Sequence, residues 1–132
     1  MSDLPVAVVG AGPVGLAAAA HLLARGLTPI VFEAGSQVGH AIRQWGHVRM
    51  FTPWEYCVDP EAGRLLRARG WAPPPADHIP TGAELVASYL EPLARSPELA
   101  PHIHYDARVV GVTRRGADKV RTAGRTALPF VL

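Results

Sequence analysis

The chain has 132 residues, of which 48% are hydrophobic, with a formal net charge of +2 at pH 7 and one cysteine. These values indicate one globular domain of 1–132 and exclude a disordered chain or an internal disulfide; the lone cysteine favours a cytoplasmic location. There is no basic run interleaved with aromatics and no apolar run of about 18 residues, so we expect neither nucleic-acid binding nor a membrane span.

The first strong signal is the stretch 6–15, in which apolar residues run directly into glycines spaced G-x-G-x-x-G. Such an apolar run is typical of a parallel strand buried on both faces. In this motif the first glycine allows a tight turn, the second lets backbone amides approach a pyrophosphate, and the third lets the helix pack on the strand. The predicted phosphate-binding turn comprises Gly10, Ala11, Gly12, Pro13, Val14 and Gly15.

The residues after the turn complete a Rossmann-like βαβ unit with a parallel sheet. Residues 16–25 are rich in alanine and leucine and predict a helix, which Gly26 would end. Residues 29–32 predict a second buried strand, and Glu33 follows at the place where an acidic side chain binds ribose hydroxyls. The alternative is a glycine-rich turn in an unrelated α/β protein, with Glu33 merely solvated.

Residues 34–47 are predicted to form a loop at the carboxyl end of the second strand, where ligands bind in open α/β sheets. Residues 48–54 are then dense in large side chains, including Met50, Phe51 and Trp54, with Trp45 just upstream. One hypothesis is a wall against a flat ligand, with Arg43 or Arg49 near its charge. The other is a small satellite core beneath a long loop, and the sequence does not decide between them.

Further along the chain the pattern predicts a helix over 59–70 and then a proline-rich connector. Thr81 and Glu84 match a capping box that opens another helix, which Pro92 should kink or divide.

The last third of the chain reads as β structure. Residues 102–114 alternate as a strand does, and a change of phase at Val109 and Val110 predicts burial on both faces there, or a bulge. Residues 126–132 begin another apolar strand, for which the sequence suggests no later partner.

Other catalytic or metal chemistry finds little support. His102 and His104 would point the same way from a strand, but no third ligand is evident, so solvated or hydrogen-bonded histidines are expected and no metal. Cys57 has no partner for a C-x-x-C motif and reads as a buried small residue. No catalytic residue can be assigned from the sequence.

The motifs resemble a known family. The three glycines of the turn, with Ala19, Gly26 and Glu33, resemble the N-terminal FAD-binding fingerprint of two-dinucleotide-domain flavoproteins. Residues 45–54 are similar to flavin-containing monooxygenase-type enzymes, and 80–85 and 118–122 to bacterial NAD(P)/FAD-dependent oxidoreductases.

This resemblance implies FAD as the cofactor. Its ADP part would be held by the turn and Glu33, and Val109 would lie beside the adenine. The loop from Gly39 through Trp54 would pass near the isoalloxazine, although His40 and Ile42 stand where family members often have glycine and tryptophan. Beyond the turn, the implied cofactor-binding residues are Glu33, Ala34, Arg43 and Val109.

The family also implies a longer enzyme. Its members carry a second glycine fingerprint for NADPH, which is not found here, so we expect an incomplete FAD-binding domain from the N-terminal part of an oxidoreductase. Such an enzyme would act on a small-molecule substrate, with NADPH reducing the flavin. One alternative is an NAD-dependent dehydrogenase domain, in which Glu33 would favour NAD over NADP as the cofactor. The other is a non-catalytic nucleotide-binding module.

Overall fold

A computed structural model describes residues 4–120 and 122–132. Arg121, part of the quoted segment 118–122, lies outside the described residues. The strands are β1 (Val6–Val9), β2 (Pro29–Phe32), β3 (Ile103–His104), β4 (Thr113–Arg114) and β5 (Phe130–Val131). The α-helices are α1 (Pro13–Ala24), α2 (His40–Gln44), α3 (Pro60–Arg67), α4 (Gly82–Leu85) and α5 (Glu91–Ala94). A π-helical turn (Val86–Leu90) joins α4 to α5, and 3-10 turns lie at Trp54–Tyr56, Ala100–His102 and Arg125–Ala127.

The predicted βαβ unit is confirmed. β1, β2 and β3 form a parallel sheet in that order, with Val6 opposite Pro29 and Val31 opposite Ile103. α1 crosses from β1 to β2 and ends, as expected, before Gly26, whose φ of 71° is the left-handed conformation that glycine adopts most easily. The parallel sheet and its crossover helix therefore have the Rossmann-like arrangement.

The expected burial of β1 on both faces is wrong. Val6, Ala7 and Val9 are exposed. Ala7 and Val9 alternate with Val8, which packs against the core, so they lie on the opposite face of the sheet, and that face is partly uncovered. An open groove of about 740 Å³ lies over this face, between β1 and the β4–β5 hairpin. The opposite face is covered by α1, whose Leu16, Ala19 and Ala20 are buried.

The helical segment 82–94 begins with the predicted capping box. It is divided, as predicted, into α4 and α5, with the π-helical turn ending just before Glu91 and Pro92. Thr81 Oγ1 accepts a hydrogen bond from the Glu84 amide, and the Glu84 carboxylate accepts one from the Thr81 amide. Pro92 has no N–H to donate to the carbonyl of Ser88 four residues earlier. That carbonyl instead accepts the indole N–H of Trp71 at 2.8 Å. The altered helix is thereby tied to the segment after α3.

The prediction of one long strand over 102–114 is wrong. Only two short strands form, β3 near the start of this segment and β4 at its end. The backbone between them turns sharply at Asp106, whose φ is 53°. The amides of Asp106 and Ala107 donate to the carbonyls of Gly35 and Glu33, so this segment supports the end of β2 instead of a continuous ladder. Neither predicted feature forms at the phase change, where Val110 is 92% exposed.

The final apolar segment has a partner after all. β5 pairs antiparallel with the preceding β4, and Arg114 lies over the Phe130 ring at 4.1 Å. The expectation of an unpaired terminal strand is therefore wrong, because the partner lies before the strand and not after it.

Asp59 joins α3 to α1 and should make stability depend on pH. Its carboxylate caps α3 by accepting from the Glu61 and Ala62 amides, and it lies 3.0 Å from His21 Nε2. Burial acts to raise the pKa of Asp59, but the hydrogen bonds from Ala62 and His21 outweigh it and hold the pKa below its ordinary 3.8.

A lowered carboxyl pKa contributes stability that is present above pH 3.8 and is lost as the pH falls through the folded-state value. We therefore expect Asp59→Ala to lower the melting temperature at pH 7, where a lost cap costs about 1 kcal/mol. The difference from the wild type should shrink as melting is followed down to pH 3. A constant difference over that range would contradict this assignment.

Candidate functional site

The glycine-rich turn is open where a ligand would lie and closed where the helix meets the strand. A Cβ on Gly10 or Gly12 would have nothing within 4 Å, whereas one on Gly15 would lie 1.9 Å from the Gly10 carbonyl oxygen. Gly10 also has a φ of 99°, which side-chain-bearing residues rarely adopt. Gly10 therefore allows the turn, Gly12 leaves space beside it, and Gly15 allows the helix to pack closely on the strand.

The N-terminus of α1 faces that space without a side-chain cap from the described residues. Gly12 is the N-cap, and its carbonyl accepts the first intrahelical bond from the Leu16 amide at 3.0 Å. By helix geometry the amides of Gly12, Val14 and Gly15 have no partner within the helix, and Pro13 has no N–H. These amides and the positive end of the helix dipole form a site suited to an anion.

Glu33 lies directly beside the turn. One carboxylate oxygen accepts the Ala11 amide and the other the Gly35 amide, each at 2.7 Å. Its own backbone is fixed, because the Glu33 amide donates to the His104 carbonyl. A carboxylate has about four acceptor positions, so each oxygen can still accept a hydroxyl hydrogen. The Ala11 amide, in contrast, is already committed to Glu33.

The other predicted cofactor residues are spread around this turn. Ala34 is exposed immediately after Glu33, and Val109 is half-buried in the irregular segment before β4. Arg43 lies on α2, with its Nη2 2.6 Å from Glu91 Oε1 and its Nε 3.0 Å from the Val38 carbonyl. The roles of these three residues, like those of the residues in the turn, stay predictions.

The cluster of large side chains divides. Trp54 is 2% exposed and belongs to the main core, with Met50 packed against it, whereas Phe51 is 97% exposed. The indole of Trp45 packs against Gly82, so closely that a Cβ added to Gly82 would lie 2.7 Å from the ring. Arg49 donates to the Ile79 carbonyl. Trp54 is thus buried as the core hypothesis expected, but in the main core and not in a satellite core, and the ligand-wall hypothesis stays open for Phe51.

Cys57 is half-buried, and its thiol donates to the carbonyls of Thr52 and Pro53. Burial raises the pKa of the Cys57 thiol, which favours the unreactive protonated form. Over 4–120 and 122–132, no three metal-ligating side chains lie together, and no helix is long and apolar enough to cross a membrane.

Gly39 is a residue of the site that the sequence did not single out for a role in the turn. Its amide donates to the Ala11 carbonyl at 3.0 Å, and its φ is 63°. The sequence shows Gly39 as a glycine in the loop after β2, but nothing in the spacing indicates that it contacts the glycine-rich turn.

Comparison with solved structures gives consistent relatives. An oxidised steroid monooxygenase bound to NADP is 32% identical over 80% of this chain and 20% of its own, with a TM-score of 0.60. A double mutant of a flavin monooxygenase from Stenotrophomonas maltophilia is 27% identical over 88% of this chain and 32% of its own (TM-score 0.59). OTEMO in complex with FAD and NADP matches at 21% identity over 84% and 20%, with a TM-score of 0.62, and supports the fold alone.

The chain thus spans only a fifth to a third of the length of these structures. No curated protein sequence matches it. The sequence profile of one family, described as pyridine nucleotide-disulphide oxidoreductase, matches residues 7–126. That match covers most of β1, the glycine turn, Glu33 and most of the remaining chain. The chain belongs to the pyridine nucleotide-disulphide oxidoreductase family.

Proposed function

We propose that this chain is the FAD-binding portion of an NAD(P)H-dependent flavin oxidoreductase of the monooxygenase type. The observation that carries the proposal is the uncapped N-terminus of α1, open at Gly12, with the Glu33 carboxylate beside it. An ADP moiety has a diphosphate and a ribose diol, which match these two features in charge and in hydrogen bonding. The names of the solved relatives, which include FAD and NADP complexes, support the same choice.

The residues present fit the cofactor. The amides of Gly12, Val14 and Gly15 would hold the diphosphate, and Glu33 would accept the ribose hydroxyls. When bound, FAD supplies the redox chemistry; these residues bind and orient it. Because the Glu33 carboxylate would repel a 2′-phosphate, the turn suits FAD or NAD and not NADP. NADPH would therefore be held by another part of a longer polypeptide, of which 1–132 is the proposed N-terminal portion.

The proposal includes a small-molecule substrate and a cytoplasmic location. The single cysteine supports the location, because disulfide-forming compartments favour paired cysteines. The aromatic side chain of Phe51, exposed near the end of the loop after β2, would be available to a flat ligand.

FAD titration of the purified chain tests the proposal. We expect the flavin fluorescence to change on binding, and Glu33→Ala to weaken the affinity about tenfold, because both the ribose acceptor and the anchor of the Ala11 amide are lost. Glu98→Ala, which removes a carboxylate paired with Arg69 on the surface, is the control and should leave the affinity unchanged. Tight binding of NAD without uptake of FAD would favour the dehydrogenase alternative and overturn the proposal.

A further inference from the structure

We infer that Arg43 and Glu91 are a positioning pair, which holds the loop 34–39 so that this loop supports the phosphate-binding turn. The inference rests on the proposed function, since it concerns the affinity for FAD. Arg43 then affects the cofactor through the loop, and does not contact the cofactor's charge as the sequence suggested.

The contacts of Arg43 point to the loop and to α5. Its Nη2 donates to Glu91 Oε1 at 2.6 Å, and its Nε donates to the Val38 carbonyl at 3.0 Å. Both side chains are partly shielded, with 31% and 25% of their surfaces exposed, so water screens this pair less than an open surface pair. The hydrogen bond from Arg43 lowers the pKa of Glu91 below its ordinary 4.5, so the carboxylate stays charged at pH values where a free glutamate begins to protonate.

The next link runs from the loop to the turn. Gly39 follows Val38 directly, and its amide donates to the Ala11 carbonyl at 3.0 Å. The side chains of Val86 and Leu90 pack closely against Gly39. A Cβ added to Gly39 would lie 3.0 Å from Val86 Cγ2 and 3.3 Å from Leu90 Cδ1. The loop end is therefore fixed between the phosphate-binding turn and the helical segment that leads into α5.

Both backbone groups of Ala11 are thus anchored. Its amide donates to Glu33, and its carbonyl accepts from Gly39. A continuous path of hydrogen bonds leads from Glu91 through Arg43, the Val38–Gly39 backbone and Ala11 to the turn that presents the free amides. Preorganised donors bind an anion without first having to be ordered, so loosening this path should weaken FAD binding.

The experiment compares FAD affinity among variants of the pair. Arg43→Ala, Glu91→Ala and Arg43→Lys are each expected to weaken binding about tenfold. Lysine keeps the positive charge beside Glu91 but lacks the Nε donor to Val38. The double variant Arg43→Ala/Glu91→Ala should bind about as weakly as either single variant, because each breaks the same path.

Arg95→Ala is the matched control. Arg95 contacts the second oxygen of Glu91 at 3.5 Å and is 78% exposed, so its loss should leave FAD affinity within about twofold. If Arg43→Ala weakens binding while Glu91→Ala does not, Arg43 contacts the cofactor directly and the inference is wrong. Wild-type affinity in Arg43→Ala or Arg43→Lys would also overturn it.

Amide hydrogen exchange separates this inference from the proposed function. Measured without nucleotide, exchange of the Gly39 amide should be faster in Arg43→Ala and Glu91→Ala than in the wild type, and unchanged in Arg95→Ala. Unchanged exchange in all the variants would overturn the positioning pair even if FAD binds well. Failure of the wild type to bind FAD, with the exchange result as expected, would overturn only the proposed function.

Discussion

A Gly12→Asp variant is expected to bind FAD at least about 100-fold more weakly than the wild type, a loss of ~2.8 kcal/mol. The space beside Gly12 is open, so the new side chain fits the protein but fills the place proposed for the diphosphate. Its carboxylate would also repel the cofactor's phosphates.

The same substitution should not weaken the fold. Gly12 is the N-cap of α1 with a φ of −91°, a conformation that aspartate adopts, and aspartate is among the preferred N-cap residues. We therefore expect an unchanged or higher melting temperature in the absence of FAD. The control is Ala18→Asp, which adds the same charge at an exposed position on α1 and should leave most of the affinity. Retained FAD affinity in Gly12→Asp would mean that the diphosphate lies elsewhere.

Gly15→Ala should have the opposite effect, a loss of stability. Its methyl group would lie 1.9 Å from the Gly10 carbonyl oxygen and 3.0 Å from the Gly10 carbonyl carbon, both of them backbone atoms that cannot rotate away. Such overpacking costs about 3 kcal/mol. For a chain of this size we expect the melting temperature to fall by roughly 10 °C.

Thermal unfolding of apo protein, followed by circular dichroism, measures this effect. Gly111→Ala is the control, because a Cβ there meets nothing within 4 Å and its φ is not positive. It should melt close to the wild type. If Gly15→Ala melted like Gly111→Ala, the close contact between α1 and the first turn would be contradicted.

The βαβ unit could be predicted from the sequence because its determinants are local. The glycine spacing, the alanine-rich helix and the position of Glu33 lie within a short segment, and each indicates the same geometry. The sequence also placed Glu33 at the carboxyl end of β2, the end at which ligands bind in open α/β sheets. It could not reveal that this carboxylate binds the Ala11 and Gly35 amides, since such contacts depend on how the turn and the loop meet.

Features that depend on distant partners could not be predicted. Alternation over 102–114 suggested a strand, but a strand forms only where a neighbour offers its backbone, and here the end of β2 takes up the amides of Asp106 and Ala107. The exposure of β1 depends on what covers the sheet. The partner of Arg43 is Glu91, which is 48 positions away in the sequence.

The most direct test of the central claim is an amide-resolved NMR titration of the chain with FAD. The largest chemical-shift changes should occur at the amides of Gly12, Val14 and Gly15, with smaller changes at Ala11 and Gly35, which bind Glu33. If FAD bound while the Gly12, Val14 and Gly15 amides kept their shifts, the assignment of this turn as the diphosphate site would be contradicted.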